Sequence, residues 1–267
     1  MTYAFDISRT RPGCFLFLLD QSGAMSAAFP EGGGTKSDWA TASINRFIAK
    51  LCMKSFLSES VILPLFDVGV IGYNQSASSL LKGTDTKNVF LPVSELAQAP
   101  LHIEEKVVNM DDGISEYMSY TEKVPCWIVS YSSGAVNRSE AIAFASGALT
   151  TWVMDHPHSI PPIVINFTAR GSVVSTVEWQ QLSTLHTYEG NVLLMNCYVC
   201  SDSREVSSFP DTDAAFRDDY DACLLYQGSS TIPETMVQAA RQRGLGFTNQ
   251  TRGFAFNKSM DSIIDLL

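Results

Sequence analysis

Long apolar runs are missing from the sequence. No stretch of its 267 residues approaches the roughly 18 consecutive apolar residues that a membrane-spanning helix needs. The opening residues, Met1 to Arg9, lack a basic segment followed by an apolar one, so we expect no signal peptide. We therefore expect a cytoplasmic protein without a membrane partner.

Basic side chains are also scarce. Lys and Arg number 18 against 28 Asp and Glu, which gives a net charge of −10. An acidic chain repels phosphate backbones, and no Lys/Arg cluster offers a local exception. We therefore exclude nucleic acid as the main partner. The balance of 45% hydrophobic and 17% charged residues is that of a globular chain.

The glycine motifs of nucleotide and hydrolase sites are absent. In the stretch 32–37, Gly-Gly-Gly-Thr-Lys-Ser, Thr35 separates the last glycine from Lys36, which breaks the phosphate-loop spacing. We predict instead that Thr35 or Ser37 caps the helix that follows. No dinucleotide fingerprint follows a strand, and no Gly-x-Ser-x-Gly elbow occurs.

Cysteine pairs with zinc-site spacing are too few for a structural zinc site. The single C-x-x-C, Cys197 to Cys200, lies on a predicted strand, where positions i and i+3 face opposite ways. We interpret both residues as core. We expect all cysteines to be buried, reduced thiols. They are Cys14, Cys52, Cys126, Cys197, Cys200 and Cys223.

Histidines and acidic residues give no further metal site by spacing. His156 and His158 fall in a Pro-rich loop that we expect to be solvated, and His102 and His186 are isolated in the sequence. An acidic run lacks the spaced ligands, glycine and final Glu of a calcium loop, so we interpret it as solvated surface. It consists of Asp211, Asp213, Asp218, Asp219 and Asp221.

Apolar segments alternate with helical patterns along the chain. Nearly continuous apolar runs are typical of parallel strands covered on both faces. They are Cys14–Leu19, Phe66–Tyr73, Ile163–Phe167 and Asn191–Val199, with Ile128–Tyr131 and Gly253–Phe256 as weaker candidates. Helical patterns occupy Ser37–Leu57, Ser139–Met154, Thr176–Leu185, Pro233–Arg243 and Ser259–Leu267.

This alternation predicts an α/β fold with a doubly wound, mostly parallel central sheet flanked by helices. No repeat and no Pro/Ser-rich linker divides the chain, so we expect one domain over residues 1–267. Sites in such sheets form beyond the carboxyl ends of the strands, which directs attention to the loops after Leu19 and Phe167.

The first of these loops reads Asp20-Gln-Ser22-Gly-Ala24-Met25-Ser. A carboxylate and a hydroxyl on one tight loop are hard oxygen ligands of the kind that Mg²⁺ takes. An apolar strand, then Asp-x-Ser-Gly-x-Met, then a long helix, resembles the opening of a von Willebrand factor A (vWA) domain. The segments at 66–73, 161–168, 191–196 and 252–257 resemble later parts of bacterial vWA proteins, so the likeness covers almost the whole chain.

The family's metal-ion-dependent adhesion site is only partly matched. Asp20 and Ser22 match, but alanine stands where the resemblance implies three further oxygen ligands. A methyl group cannot coordinate a cation, so we predict Asp20 and Ser22 to be vestigial ligands and expect no cofactor. The replaced positions are Ala24 for the second serine, Ala135 after Gly134 for the threonine, and Ala169 after Thr168 for the aspartate.

The loop after Thr168 also contains a positively charged side chain, Arg170, which we expect to lie near Asp20. We hypothesise that the guanidinium of Arg170 replaces the metal as a bidentate partner of Asp20. The alternative is that Arg170 points into solvent and Asp20 only caps its own loop.

The resemblance implies a non-enzymatic protein-binding or scaffolding module in a bacterial signalling, stress or defence complex. A Ser/Thr kinase or a PP2C-type phosphatase is the partner that the family association implies, and a homo-oligomer stays open. The predicted binding face comprises Asp20, Ser22, Ala24, Met25, Gly134, Ala135, Thr168, Ala169 and Arg170.

Two alternatives stay open. The first is a Mg²⁺-dependent vWA domain whose missing ligands come from Asp67, Asp111 or Asp112. The second is a hydrolase with Ser22 as nucleophile and Asp20 as acid/base, although no histidine lies near Ser22 in the sequence.

Overall fold

The structure is a computed structural model, and it describes residues 7–29, 34–58, 61–110, 118–169, 179–201 and 206–267. The strands are β1 (Gly13–Asp20), β2 (Phe56–Ser58), β3 (Val61–Ile62), β4 (Phe66–Tyr73), β5 (Ala77–Ser79), β6 (Leu91–Pro92), β7 (His102–Met110), β8 (Met118–Cys126), β9 (Ile163–Ala169), β10 (His186–Thr187), β11 (Gly190–Asn191), β12 (Leu193–Val199), β13 (Ser207–Ser208) and β14 (Phe254–Phe256). The α-helices are α1 (Lys36–Lys54), α2 (Val93–Leu96), α3 (Arg138–Asp155), α4 (Tyr220–Gly228) and α5 (Glu234–Gln242). Short 3-10 helices occupy Gly23–Ser26, Leu182–Thr184 and Asp261–Leu266.

A central, mostly parallel sheet organises the described chain. Its strand order is β13–β14–β12–β9–β1–β4–β5, with β6 paired to β4. The five inner strands β14, β12, β9, β1 and β4 are parallel, whereas β13, β5 and β6 join the edges antiparallel. The predicted mixed α/β, Rossmann-like architecture is therefore confirmed.

The position of β1 between two helical layers explains why its sequence is continuously apolar. Phe15 and Phe17 point to the face covered by α1, where Phe47 packs edge-on against both rings. Leu16 and Leu18 point to the opposite face, which α3 covers. With helices on both faces, each residue of β1 is buried, so the alternation of a half-exposed strand is lost.

The main predicted elements are present with small shifts at their ends. The segment Phe66–Tyr73 is a strand over its predicted length, and α1 and α3 lie where the helical patterns place them. Thr35 forms the predicted N-cap of α1, in a capping box with Asp38. Residues 176–178 of the predicted helix Thr176–Leu185 lie outside the described residues, and the described remainder contains the 3-10 helix Leu182–Thr184.

Two predictions of secondary structure are wrong. Ser259–Leu267 contains a 3-10 helix rather than an α-helix. Ile128–Tyr131 is not a strand, because α1 rather than a neighbouring strand satisfies its polar groups. The Asn45 side-chain oxygen accepts the N–H groups of Trp127 and Ile128 at 2.9 and 3.2 Å, and its amide donates to the Ile128 carbonyl at 3.0 Å.

No helix in the described part of the chain is both long enough and apolar enough to cross a membrane.

We expect Asn45→Ala to lower the free energy of unfolding by about 2–4 kcal/mol, because it leaves buried N–H groups of the 127–128 segment without an acceptor. Chemical denaturation monitored by tryptophan fluorescence measures the change. Met53→Ala on the exposed side of the same helix is the control, with a change within about 0.5 kcal/mol. Equal stability of the two variants would contradict the role given to Asn45.

Candidate functional site

A crevice is expected where neighbouring strands of the sheet connect in opposite directions. From β1 the chain crosses α1 to β4 on one side, then crosses α3 to β9 on the other side of β1. The carboxyl ends of β1 and β9 therefore lie side by side at the point where the connections reverse direction. Ligand sites of open α/β sheets form at such a switch point.

Asp20 ends β1 at this point and is fully buried. Its Oδ1 accepts the backbone N–H of Ser22 at 2.8 Å, and its Oδ2 accepts the hydroxyl of Thr168 at 2.9 Å. Hydrogen bonds to a carboxylate are stronger than neutral ones. The carboxylate thus fastens the loop after β1 to the end of β9.

The loop before α3 is tied to the same place through its backbone. Gly23 donates its N–H to the Gly134 carbonyl at 2.9 Å, and Ser133 donates to the Gln21 carbonyl at 2.8 Å. Gly134 has φ of +75°, a conformation that glycine adopts without the strain of a Cβ atom. The loop after β1 and the loop before α3 therefore meet next to the end of β9.

A chain of buried polar side chains runs beneath these loops. The Tyr73 hydroxyl donates to Asn166 Oδ1 at 2.8 Å, and Asn166 Nδ2 donates to Asn196 Oδ1 at 2.9 Å. Asn196 Nδ2 in turn donates to the hydroxyl of Ser229 at 3.0 Å. Polar residues inside otherwise apolar strands were the only sequence signal for this network, and our sequence reasoning missed it.

Arg138 adds a positive charge to the same cluster. It is the first residue of α3, is only 6% exposed, and lies near enough to Tyr73 for its charge to affect the pKa of that hydroxyl. Burial and the negative charge of Asp20 raise the pKa of Tyr73, whereas the charge of Arg138 lowers it. Tyr73 thus lies within the electrostatic reach of both a buried carboxylate and a buried guanidinium.

Most of the predicted binding face does not reach solvent. Asp20, Ser22, Met25, Thr168 and Ala169 are buried, which corrects their assignment as contact residues. Met25 packs into the apolar core. Thr168 is held below the surface by the hydrogen bond from its hydroxyl to Asp20.

The remaining members of the predicted face differ in exposure. Gly134 and Ala135 are exposed and Ala24 is half-buried, so these residues retain surface for a partner. Arg170 lies outside the described residues, and its predicted pairing with Asp20 stays a prediction.

The described oxygen atoms around Asp20 do not fit a Mg²⁺ ion. Asp20 and the two residues that hydrogen-bond to it offer one carboxylate, the Ser22 hydroxyl and the Thr168 hydroxyl, and the last is bonded to Asp20. Ser22 Oγ is buried and has no hydrogen-bond partner among the described residues. A single carboxylate, in a cluster where Arg138 adds a positive charge near Tyr73, lacks the negative charge that such a cation needs.

The alternative ligand Asp67 is excluded by its position. It lies at the start of β4, six residues before the Tyr73 that pairs with Asp20, or roughly 20 Å away along the strand. Its carboxylate accepts the Trp152 indole N–H at 2.9 Å. The other two alternatives, Asp111 and Asp112, lie outside the described residues.

An apolar cleft of about 500 Å³ opens beside the loop that follows Asp20. Three apolar side chains on it are about half exposed, namely Leu101 at 48%, Val129 at 53% and Tyr131 at 52%. Exposed apolar side chains grouped in one place are typical of protein contact surfaces. The cleft is lined by Gln21, Leu80, Lys82, Leu101, Trp127, Ile128, Val129 and Tyr131.

The other motifs of the sequence have structural roles, with one exception. Cys197 and Cys200 are buried, as predicted, and so are Cys14, Cys52 and Cys126. The prediction of burial is wrong for Cys223, which is only half-buried. Asp219 caps α4 through the Ala222 N–H. The interpretation of His102 as isolated is wrong, because its Nε2 lies 3.4 Å from Glu104 Oε1.

Comparisons with known proteins identify no family. No family model matches the sequence, and no curated protein matches it. Among solved structures the chain is similar to proximal thread matrix protein 1 from the mussel byssus, described with a zinc-occupied MIDAS motif, at 11% identity and a TM-score of 0.38. That match covers 72% of this chain and 37% of the other.

A second similar structure is an uncharacterized membrane spanning protein from Vibrio fischeri, at 9% identity and a TM-score of 0.27 over 70% of each chain. The chain spans little more than a third of the mussel protein. At these scores neither likeness identifies a family.

We expect Thr168→Val to lower the free energy of unfolding by about 1.5–3 kcal/mol, because the nearly isosteric side chain removes a hydrogen bond to a buried carboxylate. Thermal or urea unfolding measures the loss. Thr151→Val on the exposed side of α3 is the matched control and changes stability by less than about 0.5 kcal/mol. Indistinguishable stabilities would show that the Thr168–Asp20 bond does not hold the loops.

Proposed function

We propose that the chain is a non-enzymatic, protein-binding module of the vWA type whose contact surface lies at the carboxyl edge of the sheet and works without a metal ion. The observation that carries the proposal is the apolar cleft beside the Asp20 loop. A partner protein of a bacterial signalling complex, such as a Ser/Thr kinase or a PP2C-type phosphatase, is the occupant that the sequence resemblance implies.

The cleft suits a protein partner because its wall is both apolar and held in place. Ser37 at the start of α1 donates its hydroxyl to the Tyr131 carbonyl at 2.9 Å, and Asn45 holds the backbone at Ile128. Tyr131 is therefore presented on a fixed backbone, with its side chain half exposed. Rigid aromatic anchors lose little entropy on binding and are frequent at the centre of interfaces.

Metal independence follows from the charges around Asp20. In a metal site the cation would balance the aspartate, whereas here Arg138 brings a positive charge into the same buried cluster. A guanidinium is permanently charged and tolerates partial burial better than an ammonium group. We assign Arg138 the balancing role that the sequence analysis gave to Arg170.

The hydrolase alternative gains no support from the described residues. Ser22 Oγ is buried and has no hydrogen-bond partner there, so no base is placed to activate it. The Mg²⁺-dependent alternative loses Asp67 as a ligand because that residue lies toward the opposite edge of the sheet.

The cleft is tested by cross-linking and affinity capture from cells of the source organism. We expect the double variant Val129→Ser/Tyr131→Ser to lose a partner that the unaltered chain retains, because truncating an interface anchor typically costs over about 2 kcal/mol, or more than tenfold in affinity. Retention should be the same with and without added Mg²⁺.

The control is Met154→Ser/Tyr188→Ser, which removes two apolar side chains that lie outside the cleft and are even more exposed than Val129 and Tyr131. This control should retain the partner. Loss in both variants, or in neither, would overturn the cleft as the contact surface, and retention only with Mg²⁺ would overturn metal independence.

The vWA assignment itself predicts a gain of function. The triple variant Ala24→Ser/Ala135→Thr/Ala169→Asp restores the oxygen ligands that the resemblance implies, so we expect it to bind Mn²⁺ while the unaltered chain does not. Loss of the free-ion electron paramagnetic resonance signal reports binding. A folded triple variant that leaves the signal unchanged would show that these positions do not correspond to the family's ligands.

A further inference from the structure

A second group of chemically reactive side chains lies away from the Asp20 cluster, at the base of the hairpin formed by β7 and β8. In the register of this hairpin His102 is directly opposite Cys126. Glu104 is two residues after His102, so it projects from the same face of the strand. The hairpin thereby brings together a nitrogen, an oxygen and a sulfur ligand from two separated parts of the chain.

The three side chains are close enough to share one ion. His102 Nε2 and Glu104 Oε1 are 3.4 Å apart, and the ligand atoms of all three residues lie within 4.8 Å of one another. Zinc–ligand bonds of about 2.0–2.3 Å in a tetrahedron place neighbouring ligand atoms about 3.3–3.8 Å apart. Small side-chain rotations of the two exposed residues would bring the group to that spacing.

We propose that His102, Glu104 and Cys126 form a Zn²⁺ site with one coordination position open to solvent or to a ligand. Imidazole, carboxylate and thiolate are all zinc ligands, and a thiolate excludes Mg²⁺ and Ca²⁺. The carboxylate and the thiolate together balance the charge of the dication. Binding converts the Cys126 thiol to a thiolate, and the displaced proton passes to the buffer.

A cleft against α1 supplies the open side of this site. It has a volume of about 330 Å³ and is shared by the hairpin residues and by Asp38, Thr41 and Asn45 of the helix. Thr41 is only 5% exposed, and its hydroxyl has no hydrogen-bond partner among the described residues. A buried hydroxyl without a partner is costly, and a water or ligand bound in the cleft is the kind of partner that it lacks.

The backbone fixes one ligand and leaves the other two able to move. Leu101 donates its N–H to the Cys126 carbonyl at 2.7 Å, and the next residue, Trp127, donates to Asn45. The Cys126 side chain is buried, whereas those of His102 and Glu104 are 42% and 46% exposed. A fixed thiolate with two mobile partners at the surface gives a metal ion a route into the site.

Cobalt substitution tests the site in the full chain. After removal of metals by a chelator, one equivalent of Co²⁺ should give the near-ultraviolet sulfur-to-cobalt charge-transfer band, and Zn²⁺ should displace it. Cys126→Ser should abolish the band. His102→Gln and Glu104→Gln should each weaken binding at least about tenfold, since even loss of residues that only support ligands costs that much.

Cys223→Ser and His186→Gln are the matched controls, because each removes the same chemical group elsewhere in the chain, and both should bind like the unaltered protein. Circular dichroism checks that each variant is folded, and His102→Gln, at an exposed residue, carries the test if Cys126→Ser does not fold. Absence of the band in the unaltered chain, or its loss in Cys223→Ser instead of Cys126→Ser, would overturn the proposal.

Discussion

A buried carboxylate holds together the carboxyl edge of this sheet. Asp20 is fully buried, so its charge has left water at a considerable cost, which only hydrogen bonds and a nearby positive charge can offset. The hydroxyl of Thr168 and the N–H of Ser22 supply the bonds, and Arg138 lies in the same polar cluster. The adjoining surface, including the apolar cleft, depends on loops that this residue positions.

The sheet could be predicted well because strands that are buried on both faces have continuous runs of apolar residues. The runs at 14–19, 66–73 and 163–167 became inner parallel strands, and their apolar continuity reflects helices above and below. The same rule failed at Ile128–Tyr131, where Asn45 satisfies the backbone that a strand would otherwise pair. It also missed the β7–β8 hairpin, whose many polar residues give no apolar run.

Only those features of the site that depend on residues adjacent in the sequence, or on the order of the strands, could be predicted. The loop from Asp20 to Met25 was recognised from its own residues, and its position beside the end of β9 followed from sheet topology. Burial of Met25 and Thr168 and the proximity of Arg138 depend on packing between distant segments, which no local pattern encodes. His102 and Cys126 likewise become neighbours only through hairpin register, so each was interpreted alone.

We propose that this edge of the sheet works without a metal ion. Calorimetric titration of Mg²⁺ into the chelator-treated chain tests it most directly, with Asp20→Ala as the reference. We expect no saturable heat in either protein, because a single carboxylate does not supply enough ligands to hold the ion. Saturable binding at micromolar to low-millimolar Mg²⁺ that disappears in Asp20→Ala would contradict it.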